Sequence, residues 1–132
     1  MLIKHTYCLN LTKKIKDWYI NHIQGFIDLE SNIRIAQSLF TQNKYQETID
    51  TCNQILSTNR NSIEALKLIA KSFLSTSKID DARIYLNKAL SIKPDDYEVI
   101  KDLGNTYQAV GDINNAKKYY QKAIKINSSY AP

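Results

Sequence analysis

Apolar residues recur along this chain at the spacing of an amphipathic α-helix. Leu66, Ile69, Ala70 and Phe73 occupy positions i, i+3, i+4 and i+7, which fall on one face of a helix. The same spacing returns in other segments, which short polar stretches separate, so the pattern predicts an all-α protein. The predicted helices span residues 11–24, 29–42, 45–57, 63–76, 79–92, 97–110 and 113–126.

The helical pattern recurs with a 34-residue period. When the chain is shifted against itself by one period, seven columns stay apolar or small through three copies without a gap. Such a period predicts a solenoid in which each copy is a pair of antiparallel helices. The columns are Ile35, Ile69 and Leu103; Ala36, Ala70 and Gly104; Leu39, Phe73 and Tyr107; Thr48, Ala82 and Ala116; Cys52, Leu86 and Tyr120; Ile55, Ala89 and Ala123; and Leu56, Leu90 and Ile124.

Each copy has residues that end one helix and begin the next. Breaks at Asn43, Ser77 and Gly111 separate the two helices of a copy, and Gly111 is expected to take the left-handed conformation common at helix C-termini. Pro94 disfavours helix before it and so ends the second helix of the middle copy. The pairs Asp95 with Glu98 and Asn61 with Glu64 resemble capping boxes that open the following copy.

Gly104 lies inside a predicted helix, where glycine costs roughly 1 kcal/mol relative to alanine. Ala36 and Ala70 occupy the same column, and Ala82 and Ala116 stand on the second helices. We expect these small residues where the two helices of a hairpin cross closely. Gly104 is therefore predicted to be a packing residue.

The third copy carries a motif of spaced apolar and small residues. It reads Ile100-x2-Leu103-Gly104-x2-Tyr107, followed by Ala116-x3-Tyr120. This motif closely resembles the tetratricopeptide repeat, and Pro94 lies where that family often has proline. The resemblance covers residues 29–128, and the first copy departs from it most, at Asn32, Thr48 and Arg60.

The resemblance implies a right-handed superhelix of three helical hairpins with an N-terminal capping helix. Its expected parts are an extension with the capping helix at 1–28 and repeats at 29–62, 63–96 and 97–130. They form one continuous domain, which we expect to be the N-terminal part of a longer protein.

The predicted helix at 11–24 ends at Gly25 and falls where the second helix of a preceding copy would lie. Leu11, Ile15 and Trp18 stand one period before Tyr45, Ile49 and Cys52. Lys14 and Asn21 interrupt its small-residue columns. We interpret the segment as a half-repeat cap whose Trp18 covers the open end of the first hairpin. The alternative is an amphipathic membrane or targeting helix that carries Lys13, Lys14 and Lys16.

The C-terminal end stops at "INSSYAP", where another first helix would start. A terminal repeat normally has a polar cap, but here Ile113, Tyr120, Ala123 and Ile124 would lack a neighbour on one side. Two explanations fit: the chain is an excerpt of a longer protein, which we favour, or the uncapped C-terminal helix mediates self-association or docks on a partner.

Charge, apolar runs and cysteine spacing argue against several classes of function. The net charge of +5 is spread along the chain of 132 residues, which does not resemble a nucleic-acid footprint. No apolar run reaches the ~18 residues of a membrane span, and the start lacks the layout of a signal peptide, so we expect a cytoplasmic protein. Cys8 and Cys52 are far apart without metal-ligand spacing, and we expect neither a metal nor a cofactor.

The resemblance also implies a concave face, lined by the first helix of each repeat, that binds a protein or peptide. The candidate binding residues are Gln37, Phe40, Lys67, Lys71, Leu74, Lys101, Asn105 and Gln108. Cationic and amide donors at these positions could hold a peptide backbone or a carboxylate, so an acidic peptide is favoured. The alternative is a solvated face on which Glu64 and Glu98 pair with the lysines.

One version of this groove, the clamp for acidic C-terminal chaperone tails, does not fit the residues. Ile33 and Gln37 replace its first lysine and asparagine, and Glu98 and Asp102 stand where its later basic residues belong. The reversed charge excludes that clamp within these three repeats.

Other function classes find little support. His5 and His22 have no nucleophile or carboxylate at motif spacing, and no phosphate-loop glycine pattern exists, so no catalytic residue is predicted. A lysine cluster on the last helix without a known motif is typical of a solvated face. The sequence thus predicts an interaction scaffold or, as the alternative, the N-terminal adaptor of a larger enzyme whose catalytic domain lies beyond residue 132.

Overall fold

A computed structural model of the chain describes residues 2–128, with side chains at 12–25 and 28–128. This described part contains helices and connecting turns without a β-strand, so the all-α prediction is confirmed. The helices are α1 (Leu2–Thr41), α2 (Tyr45–Thr58), α3 (Ile63–Ser75), α4 (Ile79–Ile92), α5 (Tyr97–Ala109) and α6 (Ile113–Ser128). The predicted third repeat extends to residue 130, and its last two residues, like the end of "INSSYAP", lie outside the described residues.

The chain divides into two compact units, Met1–Asn32 and Ile33–Pro132. In the second unit the helices pack in chain order: α2 against α3, α3 against α4, α4 against α5 and α5 against α6. The last turns of α1 meet α2 through the rings of Phe40 and Tyr45, whose centroids lie 5.6 Å apart. This sequential packing is the hairpin solenoid that the repeat period predicts.

The break within each copy is a left-handed residue at the same register. Asn43, Ser77 and Gly111 have φ of 61°, 60° and 81°. At each, two backbone hydrogen bonds close the preceding helix; Lys78 N–H, for example, donates to the carbonyl of Phe73 at 2.9 Å. This is the Schellman pattern. The predicted breaks and the left-handed Gly111 are confirmed.

The caps of α3 and α5 lie one residue later than the sequence pattern suggested. Ser62 Oγ accepts a hydrogen bond from Ala65 N–H at 3.4 Å, and Asp96 Oδ1 accepts from the N–H groups of Glu98 and Val99. The predicted capping pairs that begin at Asn61 and Asp95 were wrong. A capping side chain belongs to the extended residue just before the first helical residue, and that residue is Ser62 or Asp96.

The buried residues of the middle and last copies form one apolar cluster. It contains Leu66, Ala70, Leu86, Ala89, Val99 and Leu103. Column members are exposed only where no neighbouring helix packs on them: Ile69 and Leu103 are buried, whereas Ile35 of the same column is 48% exposed. The burial of each column therefore depends on whether a neighbouring helix packs against it in the stack.

Arg83 joins the middle copy to the last one. Its Nε donates to Thr106 Oγ1 at 3.1 Å and its Nη2 donates to the Thr106 carbonyl at 3.2 Å. The guanidinium also lies 4.4 Å from the centre of the Tyr107 ring, which stacks on Tyr119. One side chain of α4 thus anchors α5 by hydrogen bonds and by a cation–π contact.

The helix predicted to end at Gly25 does not end there. α1 is helical without interruption from Leu2 to Thr41, so the expected break before residue 29 was wrong. The positive φ found at Gly111 does not occur at Gly25, and a helical glycine costs only about 1 kcal/mol when its flanks favour helix. Trp18 stacks on His22 and is 60% exposed; its capping role stays a prediction.

Gly104 is a packing residue, as expected, but its neighbour is an aromatic ring. A Cβ at this position would lie 2.7 Å from Cε1 and 2.8 Å from Cδ1 of Tyr120. The expected close crossing of the helix backbones at this column stays a prediction. The missing side chain makes room for the Tyr120 ring on α6.

Candidate peptide-binding groove

The candidate binding residues lie on the first helix of each hairpin. Lys67, Lys71 and Leu74 follow one another at i, i+4 and i+7 on α3, which places them on one face. The set Lys101, Asn105 and Gln108 has the same spacing on α5, and Gln37 and Phe40 lie on α1. Lys101, Asn105, Gln108 and Gln37 are exposed, and the other four are partly buried.

Lys67 links the two inner helices of the last two copies. Its Nζ lies 3.0 Å from Asp96 Oδ2 and 2.8 Å from Glu98 Oε2. Burial opposes the charge on Lys67, but these two hydrogen bonds outweigh it and raise its pKa. Lys67 therefore pairs with carboxylates of the protein itself. For this residue the alternative given above, a solvated face on which Glu98 pairs with a lysine, is confirmed.

Asp96 and Glu98 stay ionised for the same reason. Burial alone would raise the pKa of Asp96, but hydrogen bonds from Lys67 and the Val99 N–H lower it. The Lys67 hydrogen bond is the main cause that lowers the pKa of Glu98, and Lys71 adds to it. Two carboxylates thus neutralise the first lysine of the candidate groove.

Asp102 lies next to the two remaining lysines. It is buried, and burial raises its pKa although Lys71 and Lys101 act in the opposite direction. Asn105 Nδ2 donates a hydrogen bond to Asp102 Oδ1 at 3.3 Å. The carboxylate reduces the positive potential of this face without forming a close ion pair with either lysine among the described side chains.

Tyr120, a packing position in the repeat pattern, contacts two of the candidate binding residues. Its Oη lies 2.7 Å from Asn105 Oδ1 and 2.6 Å from Gln108 Oε1. A hydroxyl has one proton to donate, so turning over one amide lets both hydrogen bonds form. The missed signal was Gly104, because the space that it leaves allows the ring to reach the two amides.

Tyr120 also borders a depression of about 420 Å³ between α5 and α6. Most of its lining is apolar, and Lys101 and Asn105 form a polar edge. The lining residues are Tyr97, Lys101, Asn105, Tyr120, Ala123, Ile124 and Asn127. Two of the candidate residues thus border the same depression as tyrosine and isoleucine side chains.

A larger depression of about 590 Å³ lies among α2, α3 and α4, with Arg60, Tyr85 and Lys88 in its lining. None of the candidate residues borders it. Among the described residues, no cluster of histidine, cysteine or acidic side chains could hold a metal ion. No helix in this part of the chain has both the length and the hydrophobicity of a membrane span.

Comparison with known proteins agrees with this architecture of stacked helical hairpins. Tetratricopeptide repeat models match residues 63–96 and 97–130, which together are more than half of the chain. The chain belongs to the tetratricopeptide repeat family, and the resemblance and superhelical fold predicted from the sequence are confirmed. Among curated proteins, no sequence matches this chain significantly.

Solved structures with the same fold include MamA and a tetratricopeptide domain of Spaghetti (RPAP3). A crystal structure of MamA is 23% identical, with a TM-score of 0.72, and the match covers 78% of this chain and 60% of that one. MamA from Desulfovibrio magneticus RS-1 is 13% identical, with a TM-score of 0.72 and coverage of 79% and 59%. The match thus spans about three fifths of either MamA chain.

The second tetratricopeptide domain of Spaghetti (RPAP3), bound to the HSP90 peptide SRMEEVD, is also similar. It is 15% identical, with a TM-score of 0.70, and the match covers 74% of this chain and 91% of that one. At these identities the likeness shows the fold that the two proteins share.

Proposed function

We propose that this chain is a non-enzymatic interaction module that binds an extended peptide or protein segment along its inner helices. Family membership supports a scaffold, and the RPAP3 domain with its HSP90 peptide is a solved example of peptide binding on this fold. The observation that carries the proposal is the shared surface of Lys101, Asn105, Tyr120 and Ile124, where a cation and an amide adjoin an apolar depression.

The charges of this surface define the peptide. Because Asp96 and Glu98 neutralise Lys67, Lys71 and Lys101 are the cations left for a ligand. The Asn105 amide contacts Asp102 and Tyr120, which leaves its second N–H to donate to a peptide carbonyl. The aromatic and aliphatic lining matches an apolar side chain. We therefore expect a peptide with one acidic group beside an apolar residue, and not the multiply acidic tail of the chaperone clamp.

The same proposal includes the cellular location of this module and its place in a larger protein. We propose that it acts in the cytoplasm and carries out no catalysis. Its role as the N-terminal adaptor of a larger enzyme is the alternative, and sequencing the gene past residue 132 tests it. Self-association through α6 also stays a prediction; Ile113 and Ile124, which are both well exposed on that helix, are its basis.

The test begins with a displayed library of random peptides selected on the full chain. One selected peptide is then titrated against the double variant Lys71→Gln with Lys101→Gln, which removes charge without placing new anions beside Asp102. Exposed charges contribute about 0.2–1 kcal/mol each, so we expect affinity to fall about tenfold, which corresponds to ~1.4 kcal/mol. The matched control is Lys117→Gln with Lys122→Gln on exposed α6 positions.

Salt provides a second readout. Affinity for the wild-type chain should fall as ionic strength rises, because exposed charges are screened over about 8–10 Å at physiological salt. If the α6 control weakens binding as much as the groove variant does, the lysines of the inner helices do not hold the ligand. Selected peptides that lack any acidic residue would contradict the proposed ligand class.

A further inference from the structure

The depression of about 590 Å³ among α2, α3 and α4 combines an apolar floor with a cationic rim. Leu66 is buried in its floor, and the half-buried Leu56 and Tyr85 pack against the apolar cluster that contains Leu66. Arg60 and Lys88 line the same depression, and both side chains are exposed. A ligand with an apolar part and an anionic part matches this lining.

The two cations at the rim have no acidic partner among the described side chains. Neither Arg60 nor Lys88 takes part in an ion pair of the described residues, and none of the described lining residues is acidic. Lys88 Nζ lies 5.6 Å from the centre of the Tyr85 ring, so its charge stands next to the aromatic part of the floor. The rim therefore carries two positive charges that the described part of the chain does not neutralise by close pairing.

Arg60 is a departure from the repeat pattern at this place. One period after Arg60 the chain has Pro94, whereas Tyr85 and Lys88 are followed one period later by Tyr119 and Lys122. The tyrosine and the lysine thus recur in the next copy, but the second cation does not. The combination of two cations with a tyrosine belongs to this depression.

We propose that this depression binds a phosphate monoester attached to an aromatic group, with the phosphate at Arg60 and Lys88 and the aromatic ring against Leu66 and Tyr85. A phosphate monoester carries a charge of about −1.5 to −2 at pH 7, which two cations match, whereas a carboxylate would leave one of them unmatched. The planar guanidinium of Arg60 can donate two parallel hydrogen bonds to phosphate oxygens, and Lys88 adds a point charge.

The rest of the lining suits the body of such a ligand. A volume of about 590 Å³ is within the range of about 300–1,000 Å³ that is usual for small-molecule sites. Aromatic rings attract one another in offset or edge-to-face arrangements, and the half-buried Tyr85 offers such a partner. The side-chain amide of Asn61 also borders the depression, and its N–H groups can donate to a phosphate oxygen.

This site is separate from the candidate peptide-binding groove, because none of the groove residues lines it. Its test is a titration of the full chain with phenyl phosphate, followed by amide chemical shifts in nuclear magnetic resonance spectra. We expect the shifts to concentrate at residues 53–61 and 85–92. Phenyl phosphate should bind at least about tenfold more tightly than inorganic phosphate, because its ring buries apolar surface. Benzyl alcohol, which has the ring without the phosphate, should bind at least about tenfold more weakly than phenyl phosphate.

Variants of the rim locate the phosphate. Arg60→Gln and Lys88→Gln should each weaken binding of phenyl phosphate about fivefold, and Arg60→Lys should weaken it less than Arg60→Gln, because it keeps the charge. Lys122→Gln is the matched control, since Lys122 stands in the column of Lys88 beside Tyr119 but has Pro94 in place of Arg60. The substituted side chains are exposed, so circular dichroism should show unchanged helicity in each variant.

Two further ligands distinguish the sources of the phosphate. N-acetyl-O-phosphotyrosine amide represents the group alone, and a set of phosphotyrosine peptides represents the same group on a protein. Tighter binding of a peptide than of the capped amino acid identifies a protein ligand, and equal binding identifies a free aryl phosphate. Lys71→Gln with Lys101→Gln, the groove variant, should leave the affinity for phenyl phosphate unchanged.

Four results would overturn the proposal. The first is that excess phenyl phosphate shifts no amide signal at residues 53–61 and 85–92. The second is that benzoate binds as tightly as phenyl phosphate, which would show that a single carboxylate suffices. The third is that Lys122→Gln weakens binding as much as Lys88→Gln does. The fourth is that a single-stranded oligonucleotide binds at these residues and phenyl phosphate does not, which would identify a nucleic-acid surface.

Discussion

Replacing Gly104 with alanine separates two opposing effects that the structure makes explicit. Alanine should stabilise α5 by roughly 1 kcal/mol through helix propensity. Its Cβ, however, would stand 2.7 Å from Tyr120 Cε1, and the ring must move by about 0.7 Å to reach an ordinary contact distance of 3.4 Å. Overpacking of this kind costs about 1–3 kcal/mol.

The displaced ring also loses its polar contacts. Tyr120 Oη holds Asn105 at 2.7 Å and Gln108 at 2.6 Å, and each such hydrogen bond contributes about 0.5–1.5 kcal/mol net. We therefore expect Gly104→Ala to destabilise the protein by about 1 kcal/mol despite the better helix propensity. Gly104→Leu should cost several kcal/mol, because its larger side chain must displace the whole ring.

A double-mutant cycle in urea, followed by far-ultraviolet circular dichroism, tests this reasoning. With Tyr120→Ala the obstruction is gone, so Gly104→Ala should change sign and stabilise the protein by roughly 1 kcal/mol. If alanine at position 104 has the same effect in both backgrounds, Tyr120 is not the reason for the glycine.

Two further predictions concern backbone strain and charge. Ser77 has φ of 60°, so Ser77→Gly should raise the midpoint of thermal unfolding by relieving about 1 kcal/mol, whereas Gly111→Ser should lower it; equal midpoints would contradict the strain. The folded-state pKa values of Asp96 and Glu98 lie below their ordinary values, so their stabilising contribution is present above pH ~4 and disappears as pH falls through the lowered values. In Lys67→Met, urea unfolding at several pH values should show a smaller loss of unfolding free energy between pH ~4 and lower pH. The same loss as in the wild-type chain would show that the network adds nothing.

The sequence predicted those features that depend on spacing alone. The helical pattern and the left-handed breaks recur at the same positions of three copies, so each conclusion rests on three observations. Gly104 was identified as a packing residue because glycine is unfavourable in a helix. The aromatic neighbour that occupies its space was not predicted, since it lies on another helix.

Features that depend on competition between contacts were harder to predict. Gly25 predicts a helix end from its residue type, but α1 continues through it, because glycine favours a helix end without requiring one. Lys67 was proposed as a ligand-binding cation, yet its reach to Asp96 and Glu98 depends on how α3 and α5 pack. The spacing of residues along one helix does not determine the distance between Lys67 and these two carboxylates.

The contacts of Arg83 and Lys67 have a consequence for how the repeats come apart. Both side chains extend from the middle copy to α5, Arg83 to Thr106 and Lys67 to Asp96 and Glu98, and the apolar cluster lies on the same two copies. Opening that interface breaks all of these contacts at once, whereas the end of α1 near Ile35 has no such links among the described contacts. We therefore expect the amide protons of the middle and last copies to exchange with solvent together, and later than those at the end of α1 near Ile35.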